Sequence, residues 1–171
     1  MNFRAHLRKH AVFTNCLASA GLFATGDAIA QYLTDAQSYD LSRTVRAGVY
    51  GGCVFGPVAA GIGFPLVNSL GMGRPLFQQG VIRTAVDQGF FAPLVYIPLY
   101  FTAMPLLEGR SFTHARQHLK DHWLQVVKTS AAVWVPVQLL NFALVPPAFR
   151  LVVVNLVGVC WNAFLALQNA K

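Results

Sequence analysis

The chain has 171 residues, 55% of them hydrophobic and 11% charged, with a mean hydropathy of +0.48. Soluble domains carry about 25% charged residues, and so small a body cannot hide this much apolar surface from water. The net charge of +7 is spread as scattered basic residues at the ends of apolar stretches, which excludes a nucleic-acid surface and suits contact with anionic lipid headgroups.

The gaps between charges predict five helices, of which four or five are long enough to cross roughly 30 Å of hydrocarbon at about 1.5 Å per residue. The first covers residues 12–33. Arg4, Arg8 and Lys9 precede it, and with Ala18, Ser19 and Ala20 they outline a secretory signal, but comparable apolar runs recur to the end of the chain. Residues 1–26 hold no acid, three Arg or Lys and two His, a composition like that of a mitochondrial import signal. Ala20, Ala24 and Ala28 recur every four residues. Asp27 lies about 9 Å inside the end of this span, with Gln31 one turn later on the same face.

The second span covers residues 45–70, opened by Arg43 and Arg46 and striped by Gly48, Gly52, Gly56 and Ala60. Helices in lipid associate through small residues and interhelical hydrogen bonds, so the two stripes predict close approach of the first two spans. A substrate path along the glycine stripe is the sharper alternative.

The third span, residues 84–107, runs twenty residues without a charge after Asp87 and contains Pro93, Pro98 and Pro105. These prolines remove backbone hydrogen bonds and predict a bent helix. Asp87 stands about one turn inside, followed by Gln88 and preceded four residues earlier by Arg83. An intramembrane charge costs about 2.5–3.5 kcal/mol on insertion scales, so it turns inward or finds a partner. Asp27 and Asp87 are therefore expected either as buried pairs with Arg43, Arg46 or Arg83 or as lining of an aqueous path.

The connector that follows sets His114, His118 and His122 at i, i+4 and i+8. Adjacent pairs could share a metal, but no carboxylate or cysteine completes a ligand set. An interfacial amphipathic helix with Arg116, Lys120 and Trp123 at headgroup level is the expected form. The fourth span, residues 124–144, carries Lys128, Gln138 and Asn141; the fifth, 149–167, opens near Arg150 and carries Asn155 and Asn162. Val145, Pro146 and Pro147 break the chain between them into a hairpin. The amides predict interhelical bonds or the polar wall of a narrow path. Basic residues divide evenly between the two sides of such a layout, leaving orientation open.

Cys16, Cys53 and Cys160 lie in three different apolar segments, so neither a disulfide framework nor a zinc site is indicated. Two membrane aspartates bring an intramembrane aspartyl protease to mind, but neither the Tyr-Asp nor the Gly-x-Gly-Asp pattern is present around Asp27 or Asp87. Nucleophile-elbow, P-loop and dinucleotide motifs are missing too. No catalytic residue, cofactor or metal is expected, and the chain reads as a non-enzyme.

Several stretches carry a family resemblance: ATGDAIAQ, SRTVRAGVYGGCVFGP, DQGFFAP and VWVPVQLLNFALVPPAFRLVVVNLVGVCWNAFLAL. Over nearly its whole length the chain resembles the peroxisomal-membrane-protein-twenty-two / Mpv-seventeen family. The family pattern falls on Gly26, Asp27 and Gln31, on Arg43, Arg46, Gly56 and Pro57, and on Asp87, Gln88 and Pro93. Its C-terminal signature falls on Trp134, Gln138, Asn141, Phe142, Val145, Pro146, Arg150, Asn155 and Trp161. Two departures stand out: Val135 separates Trp134 from Pro136, as in the peroxisomal branch, and residues 58–63 read VAAGIG where many members carry His or aromatics.

The resemblance implies a small multi-pass protein of the mitochondrial inner membrane, with the peroxisomal membrane as the alternative address. Members look like channels of low selectivity linked to membrane potential, reactive oxygen handling and mitochondrial DNA upkeep; one branch resembles a scaffold or assembly factor. The expected fold is all-α, a polytopic transmembrane bundle of four to five helices with kinked Pro- and Gly-containing spans, in one integral membrane domain over 1–171. Membrane lipid, small solutes or ions and further copies of the chain as a homo-oligomer are the expected partners.

Overall fold

The computed structural model describes residues 3–34, 38–145 and 150–169. Among them the fold is all-α, in five long helices: α1, Phe3–Leu33; α2, Leu41–Ser69; α3, Leu76–Leu107; α4, Phe112–Leu144; and α5, Arg150–Asn169. Three stretches, Val12–Leu33, Leu41–Ser69 and Leu76–Leu107, are long and apolar enough to cross a membrane, and Val153–Asn169 is a shorter apolar helix. Bulky side chains such as Phe13, Leu17, Phe90, Leu94, Leu140 and Leu156 stand more than half exposed, the surface expected of helices that face lipid.

Local chemistry sets the boundaries. Asp40 caps α2, its side chain accepting from Arg43 N–H at 3.0 Å, so the helix starts at Leu41 rather than at residue 45. Ser111 caps α4 by accepting from His114 N–H at 3.2 Å. From that cap the connector and the fourth apolar segment run on as one 33-residue helix. α3 ends in a Schellman turn: Arg110 N–H donates to the Pro105 carbonyl and Gly109 N–H to that of Leu106, with Gly109 at φ 79°. Pro146 and Pro147, read as the hairpin break, lie outside the described residues.

α2 and α3 are interrupted by wide π turns at Tyr50–Phe55, Ala59–Gly63 and Asp87–Tyr96. There Gly56, Phe64 and Ile97 donate five residues back, to Gly51, Ala59 and Ala92. Such turns absorb a missing donor, and Pro57 and Pro93 are residues without a backbone N–H to donate.

The chain forms two compact units. One holds the described residues up to Phe64 together with those from Val159 onward; the other is Pro65–Gly158. In the first, α1 and α2 meet backbone to backbone. Gly48 faces Ala24, Gly52 faces Ala20 and Gly56 faces Cys16, while a Cβ on Gly51 would stand 2.5 Å from the Ser19 carbonyl. Phe23, Tyr50 and Phe55 fill the space beside this crossing, the first two edge to face at 5.0 Å. Gly26 admits α5 in the same way, since a Cβ there would stand 2.5 Å from that of Asn162. In the second unit large side chains close the core: Phe91, Ile97, Tyr100, Phe101 and Met104 of α3, with Ala115 and Val126 of α4.

Candidate functional site

In the first unit, Asp27 is 1% exposed and fully engaged. Its Oδ1 pairs with Arg43 Nε at 2.7 Å, and its Oδ2 accepts from Gln31 Nε2 and from the Thr44 hydroxyl, both at 2.8 Å. Gln31 also binds the backbone of Asp40, donating to the carbonyl at 3.0 Å and accepting from the N–H at 2.7 Å. The second arm of Arg43 donates to the Ala166 carbonyl at 3.1 Å. That carbonyl belongs to the last turn of α5, where helix carbonyls lack intrahelical donors and the dipole favours a cation. One guanidinium thus neutralises a buried acid and caps a third helix. Arg46 lies outward, donating to Ser42 Oγ at 2.7 Å and standing 3.6 Å from Asp40.

In the second unit, Asp87 is half-buried within α3, roughly 16 Å along the axis from Leu76. Arg83 does not pair with it: Arg83 Nε donates to the Leu70 carbonyl at 3.2 Å and Nη2 to that of Asn68 at 2.7 Å. Instead Gln88 Nε2 donates to Asp87 Oδ2 at 2.9 Å, and Gln88 Oε1 accepts from Ser130 Oγ of α4 at 3.0 Å. Thr84, three residues before Asp87, is 5% exposed, and its hydroxyl has no hydrogen-bond partner among the described residues. Among those residues Asp87 has no cationic neighbour within ion-pair distance.

The same unit repairs its broken helix from outside. Ile97 N–H donates to Ala92, and Pro98 has no N–H, so the Pro93 carbonyl loses both of its usual helical donors. Trp123 of α4 supplies one, its indole Nε1 donating to Pro93 O at 2.8 Å. Trp123 is therefore a half-buried interhelical donor rather than only an interfacial anchor.

The remaining candidates are dispersed. Asn141 and Asn162 are buried, Gln138 and Asn155 half-buried. Asn162 lies against Gly26. Arg150 opens α5, and its side chain lies outside those described. Ala28 is half-buried on α1. The histidine stripe packs on α3 through Phe101, and among the described residues no three His, Cys, Asp or Glu side chains converge as metal ligands. Sequence reasoning missed Thr44 and Ser130, and it named Trp123 only as a headgroup-level residue, without its bond to Pro93. Asp40 was missed as well, though an acid three residues before Arg43 is an N-cap signal; nothing in the spacing marks Ser130, a hydroxyl 42 residues from Gln88.

Residues 105–166 match a family model described as Mpv17 / PMP22 family. The chain is 40% identical over 157 residues to Protein SYM1 of Mycosarcoma maydis, covering 91% of this chain and 78% of that one. It is 38% identical to Protein SYM1 of Saccharomyces cerevisiae, covering 99% and 89%, and 36% identical to Protein SYM1 of Kluyveromyces lactis, covering 98% and 88%. No solved structure matches the chain.

Proposed function

The chain belongs to the Mpv17 / PMP22 family, and from that premise we propose that it is a channel of an organelle membrane, passing small solutes or ions, in which Asp87 sets a preference for cations. The observation that carries this reading is the contrast in counter-charge. Asp27 is neutralised by Arg43, whereas among the described residues Asp87 has no cationic neighbour within ion-pair distance and the buried Thr84 hydroxyl, three residues before it, has no hydrogen-bond partner. A carboxylate beside a narrow low-dielectric path attracts cations and repels anions, and an intramembrane acid without a counter-charge is by default a functional residue. The role is not enzymatic. The mitochondrial inner membrane is the proposed address, supported by the acid-free basic first 26 residues and by the DQGFFAP stretch, which resembles the mitochondrial branch of the family; upkeep of membrane potential follows from conduction there.

Planar-bilayer recording in a salt gradient tests this. The wild type and Asp27→Asn share one reversal potential, while Asp87→Asn moves it toward zero. A folded wild type that never conducts ends the channel reading. A second reading then takes its place, a non-conducting scaffold in the same membrane. It draws support from Arg43, Arg46, Arg83 and Gln31, which all bind groups of this chain itself.

A further inference from the structure

The N-terminal half of α4 is fastened to α3 at two points. Trp123 binds the Pro93 carbonyl, and the Phe101 ring lies parallel to the His122 ring at 6.0 Å, 5° between planes, and 5.4 Å from the His118 ring. His118 is the centre of the second point. Its ring stands 4.3 Å from that of His122 and 6.1 Å from that of His114. His122 Nδ1 lies 2.9 Å from the His118 carbonyl; a carbonyl only accepts, so the proton sits on that nitrogen. His118 Nε2 is buried and has no hydrogen-bond partner among the described residues.

From this geometry we propose that the His118 cluster is an acid-released fastening: neutral imidazoles hold the N-terminal half of α4 on α3, and protonation of His118 detaches it. A proton added at the buried Nε2 would create an N–H with no acceptor among the described residues, on a cation set between two further imidazoles. The ring therefore takes up the proton only by leaving its place. The charges that face it agree. Burial, the His122 and His114 imidazoles and the Arg110 guanidinium hold His118 below the ordinary imidazole value of 6.5, and Asp121 opposes them. α3 presents the uncharged Phe101 ring.

The sign follows from linkage. A histidine kept neutral in the attached state and free to protonate in the detached one favours attachment at high pH. That preference is lost as pH falls through and below 6.5. One such group changes the ratio of attached to detached by up to about tenfold per pH unit. Detachment would also strip Pro93 of its outside donor, so the first point is released together with the second, and the backbone carbonyl must find water. The fastening operates whether or not the chain conducts.

Paired spin labels measure it. In the full chain with Cys16, Cys53 and Cys160 changed to Ser, Leu106→Cys and Thr113→Cys place labels on exposed positions at the two sides of the contact. Electron–electron distances are recorded between about pH 8 and about pH 5, across the imidazole titration. A single short distance is expected at the alkaline end, with a longer population growing as the medium acidifies. His118→Gln, or His118→Met should the amide fit poorly, keeps the short distance throughout. A distribution that ignores pH overturns the proposal, and so does an acid response that survives in the folded His118 variant.

Discussion

The two aspartates that look alike in sequence are treated oppositely by the two units. Each sits inside an apolar helix with arginine at hand: Asp27 with Arg43 in the next helix, Asp87 with Arg83 four residues before it. The nearer arginine is the one that fails to pair. Helical side chains lean toward the N-terminus of their own helix, so Arg83 reaches away from Asp87 and onto the Asn68 and Leu70 carbonyls. Base before acid is also the poorer order for a pair at this spacing. Arg43 approaches from a second helix without that restriction and meets Asp27 at 2.7 Å. Proximity in sequence within one helix is thus a weaker predictor of pairing than direction of approach.

The largest test of this contrast is charge removal at each site. Asp27→Asn leaves the Arg43 guanidinium, with a side chain only 23% exposed, without its anion. Breaking a buried pair from one side costs about 3–5 kcal/mol, and partial exposure of Arg43 places the expected loss toward the lower end. Asp87→Asn strands no cation among the described residues and keeps the amide able to meet Gln88; a change under about 1 kcal/mol is expected. Reversible unfolding in mixed micelles, followed by circular dichroism, reads both. Equal losses would erase the distinction between a structural and a free acid.

The sequence shows the helices more readily than their joints. Charge gaps mark α1, α2 and α3 because lipid tolerates little charge over a span of that length, and the all-α fold follows. It does not show that residues 112–144 form one helix, because the polar connector and the apolar segment differ in composition but share the same period. The π turns are equally hidden: Pro93 announces a lost bond, not the register that replaces it. At the candidate site, Asp27 and Gln31 are readable together from their spacing on one face. Arg43 is readable as one of three candidate arginines. The Ala166 carbonyl and the Trp123–Pro93 bond are not, since they join residues 123 and 30 positions apart through packing alone.

Packing divides the units along the same line. The first closes through backbone approach, so it tolerates no added atom at Gly51 or Gly56. Gly51→Ala puts a methyl 2.5 Å from the Ser19 carbonyl and 2.9 Å from the Phe23 ring, and overpacking of this kind costs about 1–3 kcal/mol. Gly89→Ala in α3 meets nothing within 4 Å and is expected to be neutral or to stabilise by up to about 1 kcal/mol through helix propensity. Melting temperatures of the two variants in one detergent decide it. A Gly89 variant as damaged as the Gly51 variant would mean that the second unit also depends on bare backbone.

The second unit closes instead through large side chains, joined by a few side-chain hydrogen bonds, and the smallest predicted effect isolates one of those bonds. Trp123→Phe keeps an aromatic ring on α3 but removes the donor to Pro93 O. Interhelical hydrogen bonds in membranes contribute about 0.6 kcal/mol on average and up to about 1.7, and a loss in that range is expected. Lost ring volume would give a similar number, so the discriminating measurement is a double-mutant cycle with Pro98→Ala. That substitution restores a backbone N–H five residues after Pro93, in step with the wide turn in which Ile97 already donates to Ala92. If the indole serves to replace the missing donor, Pro98→Ala makes the Trp123→Phe change nearly harmless, and the coupling between them approaches the whole cost of the single variant. If the two effects simply add, Trp123 acts by bulk, and the proline-broken helix is held by packing like the helices of the first unit.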